Sequence, residues 1–205
     1  MITIIDYNAG NIRSVLRACA EVGVKALTTS DPKVVAKAEK IIFPGVGAAP
    51  SAMEYLTKMG LDKALQDAFK SRIPILGICL GAQVVLDSSE EGPTPCLGLV
   101  PGKTIRFRLN DKSIKIPHMG WNEIKVVKPH PLLEGIKPGD EFYFVHSYYP
   151  QPADKQNIYV VADYGGDFCC GLGYKNLFAT QFHPEKSGRL GLEFLQRFKG
   201  WEGNV

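Results

Sequence analysis

The sequence predicts an α/β fold in which an open, mostly parallel sheet is flanked by helices and antiparallel strands occupy the C-terminal half. Three observations predict it. Short apolar runs alternate with segments of helical periodicity through residue 87. The run at 73–78 is apolar throughout, which is typical of a strand buried on both faces. Beyond residue 100, short strand-like runs separated by Pro and Gly turns replace most of the helices.

The first 87 residues are expected to form alternating strands and helices. The predicted strands, each short and apolar, are Ile2–Asp6, Val24–Thr28, Lys40–Phe43 and Ile73–Ile78. Apolar residues at helical spacing predict the helices Ile12–Val22, Ser51–Met59, Leu61–Lys70 and Leu80–Asp87. Gly10–Asn11 should open the first of these helices. Asp31 and Pro32 resemble an N-cap followed by proline in the first turn, so a short helix should start there.

The second half should be rich in strands and poor in helix. Its predicted strands are Thr104–Phe107, Ser113–Ile116, Glu123–Val127, Glu141–Val145, Ile158–Asp163, Cys169–Tyr174 and Leu177–Phe182. Helical periodicity returns only at Ser187–Lys199, where Ser187 is a candidate N-cap. An apolar stripe follows it at Leu190, Phe194, Leu195 and Phe198.

Composition indicates one globular domain over residues 1–205 and excludes several function classes. The chain is 45% hydrophobic and 22% charged, and its net charge of +3 is not concentrated in a basic run that would bind nucleic acid. We find neither a targeting segment nor an apolar stretch long enough for a membrane, so we expect a cytoplasmic protein. The five cysteines are odd in number and form no C-x-x-C pair, so we expect no disulfide framework and no metal.

Cys79 has the surroundings of a nucleophile. Gly77-Ile78-Cys79-Leu80-Gly81 has the form of a nucleophile elbow, in which small residues permit a sharp turn from strand to helix. The helix N-terminus would stabilise a thiolate, and the backbone N–H of Leu80 would serve an oxyanion. The alternative is an inert buried cysteine. We expect inert roles for the other four, Cys19, Cys96, Cys169 and Cys170, because none of them has an elbow pattern.

His183 and Glu185 are the candidate base and its orienting acid. His183 follows an apolar strand, and Pro184 predicts extended backbone, in which residues two apart face the same side. The Glu185 carboxylate would then orient the imidazole and stabilise it when protonated. Alone, a His-Pro-Glu tripeptide is also typical of a surface turn. The other histidines are weaker candidates: His130 lies in a predicted loop, and His118 and His146 lie at strand–loop junctions.

Pro44-Gly45-Val46-Gly47 ends the third predicted strand beside the expected site. Its glycines permit backbone N–H groups, at Val46 and Gly47, to point into the cleft as oxyanion donors. A glycine turn with only a folding role is the alternative. The complete G-x-G-x-x-G pattern and the phosphate-binding G-x-x-x-x-G-K-[ST] pattern are both missing from the sequence, so we expect no nucleotide cofactor.

These motifs together resemble a known family. Gly-Ile-Cys-Leu-Gly-Ala-Gln at 77–83 and Gln-Phe-His-Pro-Glu-Lys-Ser at 181–187 are similar to motifs of the class I, or triad, glutamine amidotransferases. More narrowly, the segments 5–11, 44–47, 89–92, 117–122 and 143–148 resemble the glutaminase subunits of imidazole glycerol phosphate synthases. The resemblance covers nearly the whole chain. Ala82 and Asn8 depart from residues that are frequent in the family.

The resemblance implies a role for each matching position. Cys79, His183 and Glu185 would be the triad, and a (β/α)₈-barrel cyclase subunit would form a heterodimer with this chain and use its ammonia for histidine biosynthesis. The implied glutamine contacts are Gly47, Gln83, Glu91, Ser147 and Tyr148. The implied cyclase-facing residues are Asn11, Trp121, Tyr143 and Lys186.

The expected chemistry is hydrolysis of glutamine through a cysteine thioester, with no cofactor. If the loop at 44–47 supplies its donor only in the complex, the isolated chain should be a weak glutaminase that the cyclase stimulates. Two other interpretations remain open. The chain could serve another synthase, because only 117–122 and 143–148 indicate the cyclase. It could also be a non-catalytic binding module on a flavodoxin-like scaffold, which fold alone does not exclude.

Overall fold

The computed structural model describes residues 1–8 and 11–204, so Gly10 of the predicted helix start lies outside the described residues. The α-helices are α1 Ile12–Glu21, α2 Pro32–Val35, α3 Ala49–Met59, α4 Leu61–Lys70, α5 Leu80–Val84 and α6 Gly188–Gly200. The strands of the first half are β1 Ile2–Ile5, β2 Ala26–Thr29, β3 Lys40–Gly45, β4 Ile75–Cys79, β5 Ser88–Ser89 and β6 Thr94–Pro95. Those of the second half are β7 Gly102–Arg106, β8 His118–Glu123, β9 Lys125–Val126, β10 Glu141–His146, β11 Tyr148–Pro152, β12 Ile158–Asp163, β13 Asp167–Tyr174 and β14 Leu177–Thr180.

The main sheet has eight strands in the order β2-β1-β3-β4-β14-β13-β12-β9. The five strands from β2 to β14 are parallel, and β13, β12 and β9 extend the sheet in antiparallel fashion. The predicted open, mostly parallel sheet with antiparallel strands in the C-terminal half is therefore confirmed. The remaining strands form two smaller sheets, β10-β8 and β11-β7-β5-β6.

Two hydrophobic clusters cover the main sheet with helices. The first joins α1 and α6 through Val15, Ala18, Phe194, Leu195 and Phe198. The second joins α3, α4 and α5 through side chains that include Leu56, Leu65 and Val84. The apolar stripe predicted on the last helix thus packs as expected, apart from Leu190, which is only partly buried. Burial of both sheet faces explains why β4 is apolar at every position.

Several predicted elements are wrong or displaced. Ser113–Ile116 is a turn rather than a strand, and the strand predicted at Glu123–Val127 is interrupted at Ile124 between β8 and β9. The helix predicted to run to Asp87 ends at Val84. The N-cap at Asp31 is confirmed, since its carboxylate accepts a hydrogen bond from the Lys33 N–H at 2.8 Å. Among the residues described, no helix combines the length and apolar character that crossing a bilayer requires.

Candidate functional site

Three neighbouring parallel strands bring the candidate residues to one edge of the sheet. β4 ends at Cys79, which lies in register with Gly45 at the end of β3. On the other side, Thr180 of β14 pairs with Ile78, so Gln181, Phe182 and His183 leave the sheet next to Cys79. The carboxyl edge of such a sheet is where ligands bind in open α/β folds.

The strand-to-helix turn at Cys79 is strained, as an elbow requires. Cys79 has φ of 54° and ψ of −104°, and α5 begins at the next residue. A non-glycine residue in this region persists only when the surrounding packing fixes it. A Cβ added to Gly81 would lie 2.0 Å from the carbonyl oxygen of Phe43, and one added to Gly77 would lie 3.0 Å from Ala179 Cβ. Both flanking glycines are therefore needed for close approach of the chain.

His183 and Glu185 form the expected pair, although the backbone differs from the prediction. His183 Nδ1 and Glu185 Oε1 are 2.7 Å apart, and both side chains are almost completely buried. Residues Pro184–Lys186 form a 3₁₀ turn, so the extended chain predicted from Pro184 is wrong. Proline's fixed φ also suits the first position of a helical turn, and this turn brings the two side chains together.

The electrostatic setting of His183 favours its protonated form. Burial lowers the pKa of His183, but the negative charges of Cys79 and Glu185 outweigh burial and raise it to about 10. Glu185 Oε1 also accepts a hydrogen bond from Asn11 Nδ2. Because Nδ1 is committed to Glu185, the remaining ring nitrogen, Nε2, is the one available to exchange a proton in the site. It has no hydrogen-bond partner in the described part of the chain.

The other four cysteines are poor nucleophiles. Burial raises the pKa of the Cys19 and Cys96 thiols to about 11 and that of Cys169 to about 12. It raises the pKa of Cys170 well above its ordinary value as well. These thiols stay protonated at neutral pH, so they are unreactive.

A cavity of about 310 Å³ opens in front of Cys79. Its walls include every glutamine contact and every oxyanion donor that the sequence analysis singled out. Those residues are Val46, Gly47, Leu80, Gln83, Glu91, Ser147 and Tyr148, and Pro117, Val145 and His146 complete the lining. A more open depression of about 770 Å³ lies next to it, with Tyr148 shared between the two. Of these two, the smaller cavity is the one lined by Cys79.

Glu91 and Gln83 are held in the cavity wall by backbone groups. Glu91 Oε2 accepts a hydrogen bond from the Ala49 N–H at 2.7 Å, which fixes the carboxylate at the start of α3. Gln83 Nε2 donates to the carbonyl oxygen of Tyr148 at 2.8 Å. The amide nitrogen of Gln83 is thus hydrogen-bonded within the protein. Gly47 has φ of 106°, which is strained for any residue with a side chain, so the loop at 44–47 requires glycine there.

The residues expected to face the cyclase lie in two places. Trp121 is 53% exposed, and its ring lies 6.2 Å from that of Tyr143 in an edge-on arrangement. Lys186 Nζ lies 5.6 Å from the centre of the same Tyr143 ring. These three side chains form one surface cluster. The Asn11 side chain, by contrast, is directed at the triad carboxylate, as described above.

Ser187 does not cap α6 as predicted. Its side chain makes no cap hydrogen bond. Instead, Ser187 Oγ donates to the His183 carbonyl oxygen at 2.6 Å and accepts from the Tyr143 N–H at 3.0 Å. Ser187 therefore stands at the predicted N-cap position of α6, but its hydroxyl does not cap the helix. The hydroxyl ties the turn that carries His183 to β10, and β10 carries Tyr143 of the surface cluster.

Sequence reasoning missed Gln181 and undervalued His146. Gln181 is completely buried, and its Nε2 lies 3.5 Å from Cys79 Sγ. His146 lines the cavity, and its Nδ1 lies 2.8 Å from the Tyr148 carbonyl oxygen. Gln181 sits two residues before His183, directly after an apolar strand at the site edge. That position was the available signal for it.

Comparison with known proteins agrees with this site. The family model for class-I glutamine amidotransferases matches residues 3–199. Imidazole glycerol phosphate synthase subunit HisH of Chromobacterium violaceum is 46% identical over 211 residues, covering 100% of this chain and 99% of the relative. The protein of that name from Dehalococcoides mccartyi is 49% identical over 199 residues, with coverage of 97% and 96%.

Solved structures of lower identity share the fold. A chain in the structure of PurLQS from Thermotoga maritima superimposes with a TM-score of 0.71 at 18% identity, covering 97% of this chain and 97% of that one. The glutaminase domain of Trypanosoma brucei CTPS with bound acivicin gives a TM-score of 0.68 at 17% identity, with coverage of 97% and 93%. At these identities the likeness concerns the fold alone.

Proposed function

Since the chain belongs to the class-I glutamine amidotransferase family, we propose that Cys79 is the nucleophile with which it hydrolyses glutamine, as the glutaminase subunit of an imidazole glycerol phosphate synthase. One observation carries the catalytic part of this proposal. The cavity in front of Cys79 is lined by all the residues that the sequence analysis assigned to glutamine binding and to the oxyanion. The high identity to HisH subunits along the whole chain supports the synthase part.

The reaction begins with Cys79 as thiolate beside protonated His183. The sulfur attacks the side-chain amide carbon of glutamine, the C–S bond forms, and the carbonyl π electrons move to oxygen. The N–H groups of Leu80 and of the loop residues Val46 and Gly47 would hold that oxyanion. As the C–N bond breaks, His183 Nε2 gives its proton to the leaving nitrogen. Ammonia and a thioester result.

Hydrolysis of the thioester returns the enzyme to its starting state. Neutral His183 takes a proton from water as the oxygen attacks the thioester carbon, and the C–S bond breaks to regenerate the thiolate. Glutamate is released. Glu185 keeps the proton-bearing Nδ1 in place at 2.7 Å and stabilises the positive charge that His183 carries in both half-reactions.

Gln83 and Glu91 would act as hydrogen-bond acceptors for the glutamine substrate. Because Gln83 Nε2 is committed to the Tyr148 carbonyl, the Gln83 oxygen is the atom left for the substrate, and it suits an N–H donor. Glu91 places a carboxylate in the same cavity, where it would bind the α-ammonium group of an amino acid. The Glu91 carboxylate would favour glutamine over a plain amide, because a plain amide lacks the α-ammonium group.

We assign the partner-binding surface to the cluster Trp121, Tyr143 and Lys186, together with Met119. Met119 and Trp121 alternate on β8 and are 63% and 53% exposed. Large apolar side chains exposed together are typical of a protein interface. The backbone N–H of His183 donates to the Tyr143 carbonyl oxygen at 2.9 Å, so a barrel cyclase bound to this cluster would lie close to the residue that releases ammonia. Asn11 stays a predicted interface residue, and its side chain contacts Glu185 rather than this cluster.

Loss of the nucleophile tests the catalytic proposal. Cys79→Ala should lower glutamate release from glutamine by about 10³-fold or more, because the covalent route is removed. Release would be measured with the cyclase subunit present, alongside Cys96→Ala, which removes a thiol that does not line the cavity. Cys96→Ala should behave like the unmodified chain. Activity retained in Cys79→Ala would refute the assigned nucleophile.

A second experiment tests which synthase subunit accepts the ammonia. Glutamate release should be weak for the isolated chain and should rise when a barrel cyclase and its nucleotide substrate are added, if the loop at 44–47 completes the oxyanion site only in the complex. Trp121→Ala should weaken binding to the cyclase without changing the fold. Equal turnover with and without the cyclase would count against this gating, whereas failure of the cyclase to bind the chain in a pull-down would favour a different synthase partner. A cytoplasmic location and a single-domain chain remain parts of the proposal.

A further inference from the structure

Gln181 makes a direct contact with the candidate nucleophile that the triad does not account for. It is the first residue after β14, it is completely buried, and its Nε2 lies 3.5 Å from Cys79 Sγ. Its other amide atom, Oε1, accepts a hydrogen bond from Gln83 Nε2 at 3.0 Å. Gln181 therefore lies between a cavity-wall residue and the sulfur.

The direction of this hydrogen-bond chain is determined by one backbone carbonyl. The oxygen of Tyr148 can only accept, so the Gln83 group that lies 2.8 Å from it must be the amide nitrogen. That same nitrogen faces Gln181, so Gln181 must present its oxygen to Gln83. Gln181 consequently has only its N–H donors left for the sulfur.

His146, which is itself hydrogen-bonded to His118, is a second donor to the same carbonyl. His146 Nδ1 lies 2.8 Å from the Tyr148 oxygen and must donate to it, which leaves His146 Nε2 as an acceptor. His118 Nδ1 lies 2.9 Å from that Nε2 and so carries the next proton. The Tyr148 carbonyl thus receives two donors, from Gln83 and from His146, and cannot rotate without losing both.

We propose that Gln181 is a further catalytic residue, which donates an N–H hydrogen bond to the Cys79 thiolate and so stabilises it before attack, with Gln83 and the Tyr148 carbonyl as the groups that orient it. The inference rests on the proposed role of Cys79 as nucleophile. A thiolate gains more from a donor than a neutral thiol does, because hydrogen bonds to charged groups are the stronger ones. Gln181 and His183 would then stabilise the same negative charge from two adjacent positions.

The pH dependence of Cys79 alkylation tests this role. Iodoacetamide reacts with thiolates, and burial keeps the other four thiols protonated below about pH 9. Gln181→Met removes the donor while keeping a side chain of similar length. Its alkylation profile should be shifted by about one pH unit to higher pH, so that alkylation is about tenfold slower at pH values below the midpoint and unchanged on the plateau above it. A Cys79→Ala sample gives the background to be subtracted.

Thr180→Val is the matched control for packing. Thr180 is buried one residue earlier, and its Oγ1 donates to the Phe182 carbonyl at 3.0 Å without touching the sulfur. Removing it should leave the alkylation profile within about twofold of the unmodified chain. If Thr180→Val shifts the profile as far as Gln181→Met does, the effect is one of packing and the proposal is wrong. A Gln181→Met profile that matches the unmodified chain would also overturn it.

A measurement on the unmodified chain covers the case in which Gln181→Met does not fold. The side-chain amide resonances of Gln181, followed by ¹⁵N NMR, should shift with the same pH midpoint as Cys79 alkylation. Those of Gln66, which donates to the Leu97 carbonyl at 3.0 Å, should not. If the Gln181 resonances do not shift over the pH range in which Cys79 alkylation changes, the proposed contact is refuted. The role of Cys79 as nucleophile is tested separately, by the glutaminase activity of Cys79→Ala. A failure of the Gln181 proposal can therefore be distinguished from a failure of the proposed nucleophile.

Discussion

Cys79 and His183 stabilise each other's charged forms, and the pair is sensitive to the removal of either member. His183 is buried, and burial alone would keep its imidazole neutral. The negative charges of Cys79 and Glu185 reverse that tendency and raise the pKa of His183 to about 10. Among these influences, the charge of Cys79 is the largest that raises the pKa. In the proposed reaction, the charge of Cys79 thus helps to hold on His183 the proton that later reaches the leaving nitrogen.

Cys79→Ala should lower the pKa of His183, because one of the two negative charges is lost while burial remains. We expect a fall of at least about one unit, to be measured by NMR titration of the ring nitrogens. Cys19→Ala is the control, since that thiol stays protonated. An unchanged pKa in Cys79→Ala would show that Glu185 alone sets it.

The individual site residues were predictable to the extent that each stood in a distinctive local pattern. Cys79 stands between two glycines, and His183 follows an apolar strand, so both residues were identified. Gln181 also follows this apolar strand, but its contact with Cys79 arises because β14 and β4 pair in the sheet, across 102 positions in sequence, and the local pattern does not reveal that pairing. Ser187 has the local pattern of an N-cap, but its hydroxyl is used by the turn that holds His183. Contacts of this kind, between residues far apart in the sequence, cannot be predicted from a local sequence pattern.

The elbow depends on a close approach between α5 and β3 at Gly81. A Cβ on this residue would lie 2.0 Å from the Phe43 carbonyl oxygen, a backbone atom that cannot move aside freely. Gly81→Ala should therefore destabilise the fold by about 3 kcal/mol and displace Cys79 from the cavity. Urea unfolding and glutamate release would be measured together.

Gly200→Ala is the matched control for Gly81→Ala. Gly200 is also helical, and a Cβ added there meets nothing within 4 Å. Because alanine favours the helix and restricts the unfolded chain, this change should be neutral or slightly stabilising. If both substitutions had the same small effect, the close contact at the elbow would not be a constraint.

Elements with a clear apolar period were predicted, and strands that expose apolar side chains or contain prolines were not. β1, β4, α4 and α6 follow their periods closely. β8 reads His-Met-Gly-Trp-Asn-Glu and exposes its two large apolar side chains, Met119 and Trp121. Strand prediction relies on apolar side chains that face the core. A strand whose large apolar side chains are exposed, as at a partner-binding surface, does not show that pattern. β11 contains two prolines, which are turn signals in a sequence, yet it pairs with β7.

The molecule as a whole keeps three of its four histidines buried and neutral, in the opposite state to His183. Burial lowers the pKa of His118 and His130 to about 4 and that of His146 to about 3. In the unfolded chain the same residues take up protons near pH 6.5. Their contribution to stability is therefore complete above about pH 6.5 and is lost as the pH falls toward 4. His183 acts in the opposite direction: its contribution is complete below about pH 6.5 and is lost as the pH rises toward 10.

The free energy of unfolding should accordingly be greatest near neutral pH and should fall between pH 6.5 and 5, before most carboxylates titrate. Each buried neutral histidine contributes a slope of up to about 1.4 kcal/mol per pH unit in that range. His130→Phe keeps an aromatic ring against Phe178 and Trp201 and removes one of the three titrating groups. Urea unfolding at pH 7, 6 and 5 should show a slope about one third smaller in this variant, whatever its stability at pH 7. An identical slope would mean that His130 is already protonated in the folded protein, and so that burial does not keep its ring neutral.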